Sequence, residues 1–131
     1  MKYFLQALFI ALLLCAGTVY AHHSFTATYD TTKTVTIEGK VTQFVLRNPH
    51  SFLHIAVVEK DGKEVIWNVE WAAAGQLGGS GVTRDSVKVG DPVVVTGNPG
   101  RDPADQRIRM VTLKRTSDGF GWGFRPGQTV D

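Results

Sequence analysis

The sequence is poor in the residues that most small metal and redox domains rely on. Cysteine occurs once, at Cys15, in 131 residues. No internal disulfide is therefore available, and paired-cysteine zinc and redox motifs are excluded. Charge is also sparse. Charged residues make up 20% of the chain, the formal net charge is +2, and no lysine or arginine run concentrates it. This excludes the basic stripe of a protein that wraps a polyanion. The chain has no glycine-rich phosphate loop, no acidic metal cage and no pair of carboxylates at hydrolase spacing. Ser24 and Ser51 each adjoin a histidine, but sequence neighbours do not make a triad. No catalytic residue is assigned, and the chain reads as non-enzymatic.

Only one long apolar run is present, from Phe4 to Cys15 with Gln6 as its interruption. Lys2 precedes it, and Val19-Tyr20-Ala21 follows with small residues at the positions a signal peptidase reads. This three-part layout predicts a cleaved secretory signal peptide over 1–21. A transmembrane span needs about 20 apolar residues, so no stable membrane anchor is expected after cleavage. Cys15, behind Leu12-Leu13-Leu14, is a rival lipid-attachment site, disfavoured because Leu14 is not small. The expected location is periplasmic or secreted. The mature chain of about 110 residues would then hold no cysteine and would begin with His22-His23.

What remains reads as strands. Lys33 to Leu46 alternates with Val35, Ile37 and Val41 on one parity and Phe44 and Leu46 on the other. Such a parity change near Gly39 predicts a bulge or sharp bend. Ser51 to Val58 forms a second strand. Lys60-Asp61-Gly62-Lys63 is a hairpin turn signal, and Val65, Trp67, Val69 and Trp71 follow at period two. Ala72 to Leu77 is a short helix candidate that stops at Gly78-Gly79. Val93 to Gly97 is a fourth strand, Asn98 to Gln106 a loop, with Gly97-Asn98-Pro99-Gly100 as a turn, and Arg107 to Arg115 a fifth strand. This order predicts an all-β fold with one short helix, a five-stranded OB-like barrel over 22–116, and a glycine and aromatic tail over 117–131.

Histidine is the residue type with the clearest chemistry. A histidine at the first position offers its α-amino group and its imidazole to one ion, and nitrogen ligands of this kind suit Cu(II). His22 and His23 are therefore expected metal ligands. His50, at the Asn48-Pro49-His50 corner, is the preferred ligand from the body of the domain, and His54 is second choice. In one regular strand His50 and His54 would lie about 13 Å apart at roughly 3.3 Å per residue, too far to share an ion. Within Trp67-Asn68-Val69-Glu70-Trp71, Glu70 can serve as a supporting acceptor for a histidine, and Trp67 and Trp71 can line a ligand groove. The plainer reading makes both indoles core and Glu70 a solvated outer residue. Phe44, Arg47, Arg107 and Arg109 admit a single-strand-binding reading, but export argues against it, and no nucleic-acid partner is expected.

With His22-His23-Ser24-Phe25, Arg47-Asn48-Pro49-His50 and Val89-Gly90-Asp91 leading to Gly97-Asn98-Pro99, the chain resembles the uncharacterised exported bacterial family catalogued as domain-of-unknown-function family 6152. The resemblance runs from about Ala21 to Arg115. It implies a bacterial envelope location and a compact β-barrel, and it supplies no reaction. Two functions are carried forward. One is an exported copper-binding barrel. The other is an envelope interaction module that binds a protein or small ligand through the Trp67/Trp71 face or the aromatic tail. A copper-dependent oxidative activity would also need an open coordination position and a substrate surface, and the sequence displays neither.

Overall fold

The computed structural model describes residues 25–130. Six strands form: β1 (Val35–Val45), β2 (Ser51–Val58), β3 (Glu64–Trp71), β4 (Pro92–Pro99), β5 (Arg107–Arg115) and β6 (Gly121–Trp122). Helix α1 (Ala74–Gly79) joins β3 to β4, and a single 3-10 turn (Pro103–Asp105) precedes β5. The sheet order is β3-β2-β1-β4-β5-β6, and a parallel pairing between β3 and β5 closes the first five strands into a barrel. That closure leaves β6 as a short extension on β5. The chain is thus mostly strand, built as a closed five-stranded barrel of OB topology.

Bending of two strands makes closure possible. β1 pairs with β4 through Val35 to Lys40 and with β2 through Lys40 to Val45, so it turns from one sheet face to the other. The register slips between Val41 and Gln43, which is the bulge that the parity change requires. β5 slips against β4 beside Gly97. Its inward residues change accordingly from Ile108 and Met110 to Leu113. The Asp61-Gly62 turn forms as its sequence dictates, with Gly62 at φ 83° and the Lys63 amide donating to Asp61 Oδ1 at 2.9 Å.

Inside the barrel, Leu53, Ile55, Val69, Trp71, Val95, Ile108 and Leu113 are all fully buried. Leu77 from α1 and Trp122 from β6 join the same core. Two local readings need correction. The helix starts two residues later than expected and runs through Gly78 and Gly79. Gly97-Asn98-Pro99 is not a turn, since Gly97 to Pro99 continues β4 and Asn98 is buried with its amide donating to the Lys33 carbonyl at 2.9 Å. Pro99 is tolerated because the adjoining bond to β5 is supplied by the Gly100 amide, which donates to the Arg107 carbonyl at 3.0 Å.

Candidate functional site

Along β3, Val69 and Trp71 point into the core, so Glu70 points out. It stands opposite Phe52 on β2 and Arg109 on β5, on the seam that closes the barrel. An outward carboxylate on a barrel is ordinarily solvated. Here its side chain is only 12% exposed, because the segment before β1 lies across the seam. Residues 25–28 are helical, and Tyr29 bridges to Gly100. The Arg101 amide donates to the Thr28 carbonyl at 2.9 Å and Arg101 Nε to the Thr26 carbonyl at 2.6 Å.

This packing gives Glu70 two partners. Tyr29 donates its hydroxyl to Oε2, and His50 Nδ1 meets Oε1. A carboxylate can only accept, so Nδ1 of His50 is the donor in this contact and Nε2 is the ring nitrogen not engaged by Glu70. Burial, and after it the bond to Glu70, pushes the Tyr29 phenol well above its ordinary range. The phenol therefore remains a neutral donor. Phe25 lies parallel to the His50 ring, with centroids 5.0 Å apart and planes within 3°. Two cations complete the cover. Arg109 sits 4.6 Å from the Phe25 centroid and Arg107 sits 5.4 Å from that of Tyr29. Arg109 also donates through Nη2 to the Val130 carbonyl, so the last described residue meets the same seam.

The expected site residues are distributed unevenly. His50 and Glu70 come together. His54 projects outward from β2 with Gln43 and Asn68 as its register partners. Trp71 is 0% exposed and packs on Phe44 and Trp122, each at 5.5 Å. It cannot line a groove, because no ligand atom reaches it. Trp67 also faces inward and is half-buried against the core. Glu70 is not the solvated residue of the plainer reading. His22 and His23 lie outside the described residues. Among the described residues no group of three or more histidine, cysteine or carboxylate side chains is placed to hold a metal ion. Tyr29 and Phe25 carry no local signature of a site; the Tyr29 bridge to Gly100 and the Arg101 bonds to Thr26 and Thr28, all across the fold, bring them to the seam.

A model of the family of unknown function DUF6152 matches residues 11–109. The chain belongs to that family. Within the DUF6152 match lie His22, His23, Phe25, Tyr29, His50, Glu70, Arg107 and Arg109, whereas Trp122 and the tail lie beyond it. No curated protein matches the chain. Among solved structures, the chain is similar to the mitochondrial single-stranded DNA-binding protein Rim1 of S. cerevisiae. That match has a TM-score of 0.48 and 13% identity, and covers 64% of this chain and 94% of that one. It is also similar to a small single-stranded DNA-binding protein from Streptomyces coelicolor, with a TM-score of 0.41 and 21% identity over 65% and 92% of the two chains. These matches overturn the expectation that leaves nucleic acid out of the partners.

Proposed function

We propose that this DUF6152 protein is an exported, non-enzymatic copper-binding barrel in which His22, and with it His23, meets His50 at the seam. The observation that carries the reading is the Tyr29–Glu70–His50 chain of hydrogen bonds beneath Phe25. A metal-binding histidine characteristically donates its second ring nitrogen to a carboxylate, which fixes the tautomer and strengthens the ligand nitrogen. Glu70 does this for His50. The free nitrogen is then Nε2, as a ligand requires.

Chain connectivity supports the same reading. His22 is three residues before Phe25 in the sequence, and at about 3.6 Å per residue that connection cannot reach beyond roughly 11 Å. Phe25 itself stacks on His50. Cleavage after Ala21 would give His22 a free α-amine, and amine with imidazole would chelate Cu(II), which heads the divalent affinity order. The competing envelope-interaction reading loses its Trp71 anchor to the core. Of its tail aromatics, Phe124 is the one left well exposed.

Mass spectrometry of the protein recovered from its native host should find His22 as the first residue. Cu(II) titration of that form should then show at least tenfold tighter binding than a form with one added residue before His22. Equal affinities would reject the amino-terminal site.

A further inference from the structure

The outer wall of the barrel also carries a groove. Beside the seam, β1, β2, β3 and β5 border this groove of about 410 Å³, lined by Val45 and Phe52 together with Gln43, Arg47, His54, Asn68 and Arg107. That volume lies within the range of pockets that accept small organic ligands. Its chemistry is one-sided. Two guanidinium groups, an imidazole and two amides face the space, and no carboxylate lines it. The nearest acid along β3, Glu70, is already engaged by Tyr29 and His50.

The two arginines have no carboxylate partner among the described residues. Arg47 lies over the Phe52 ring, 5.0 Å from its centroid, and donates Nε to the His50 carbonyl at 3.3 Å. Arg107 lies over Tyr29. Aromatic stacking orients a guanidinium without neutralising it, so its charge stays available to an oxyanion. Asn68 and Arg107 are register partners across β3 and β5. Asn68 Oδ1 and Arg107 Nε are both buried with no hydrogen-bond partner among the described residues. A ligand group bearing one donor and one acceptor relieves both after a small side-chain shift. Phe52, partly exposed between these groups, supplies an apolar floor for a flat ring.

We propose that this groove binds a small organic anion, a phosphate or carboxylate joined to a planar ring, with Arg47 and Arg107 holding the oxyanion and Phe52 and His54 meeting the ring. This site is separate from the copper site and does not depend on it. Two arginines in one shallow groove match one oxyanion, whereas following a strand along its backbone takes a row of cations.

The test uses metal-free protein with benzoate, adenosine monophosphate, neutral adenosine and a fifteen-residue thymidine oligonucleotide as probes, read by NMR titration. Benzoate or adenosine monophosphate should shift the Phe52, His54 and Asn68 signals and adenosine should not. Arg47→Gln, at an exposed position, should weaken anion binding at least fivefold with an unchanged thermal midpoint, and Arg107→Lys should weaken it similarly. Absence of a shift with both anions, or equal affinity in Arg47→Gln, would overturn the proposal. So would an oligonucleotide at least a hundredfold tighter than the mononucleotide, which would assign the face to a strand. Because no metal is present, these results are independent of whether His22 binds copper.

Discussion

Glu70 accepts from Tyr29 and meets His50, and in the proposed copper site it would also back a ligand; substitution separates the two. Glu70→Ala leaves the Tyr29 hydroxyl and His50 Nδ1 without their acceptor, a cost of about 1–3 kcal/mol for each buried group. Metal-free protein should lose stability by that order in urea denaturation. Copper affinity should fall about 10–100-fold, the usual effect of removing a carboxylate behind a histidine ligand. Glu70→Gln keeps one acceptor oxygen and should lie between the two. An alanine variant with native stability and native affinity would make the contact incidental. The sequence singles out His50 by its proline corner and Glu70 by its outward position between two inward residues, but the plainer reading of Glu70 as solvated does not foresee its cover. Tyr29 was not legible. It acts 41 residues from Glu70, and only the folding of the first segment onto the β4–β5 connection brings it there.

The elements themselves were more legible, since period-two alternation is a local property. β2 and β5 match their expected bounds, and the bulge in β1 follows from the parity change between Val41 and Phe44. The misread stretch was Asn98-Pro99, where proline and polar neighbours signal a loop. Burial of Asn98 against the Lys33 carbonyl outweighs that signal. Glycine at the bends is set by space. A Cβ on Gly97 would stand 2.1 Å from the Arg109 carbonyl oxygen, and one on Gly39 would stand 2.2 Å from that of Ala56. Both obstacles are backbone, which cannot swing aside as a side chain does. Gly97→Ala should therefore cost about 3 kcal/mol, at the upper end for overpacking, with chemical denaturation as the measure. A neutral result would mean that the β4–β5 ladder opens at little cost.

At the scale of the molecule, the barrel depends on both ends of the described chain, one lying over its seam and the other reaching its core. Trp122 reaches the core from a strand of two residues, too short to show a period in sequence, and stacks edge-on to Trp71 at 81°. Trp122→Ala should cost about 3–5 kcal/mol, seen as a lowered urea midpoint. Arg115 fastens the same end. It binds Asp91 at 2.7 Å and Asp118 at 2.9 Å. The Arg115 hydrogen bonds, then the Phe120 amide, hold the Asp118 carboxyl at about 2. Burial raises Asp91, but the Lys88 amide and Arg115 together lower it further. Groups with depressed folded values stabilise above their ordinary value near ~4 and lose that stabilisation as pH falls through the folded value. Stability should therefore drop between about pH 4 and about pH 2, and Arg115→Gln should flatten that drop when melting is followed across the range. An equally steep drop in the variant would place acid sensitivity elsewhere. The central claim joins the chain's beginning to the seam, and electron paramagnetic resonance of Cu(II) tests it most directly, comparing native protein beginning at His22 with its His50→Ala variant. The account predicts loss of one coupled nitrogen in the variant; identical spectra would contradict it.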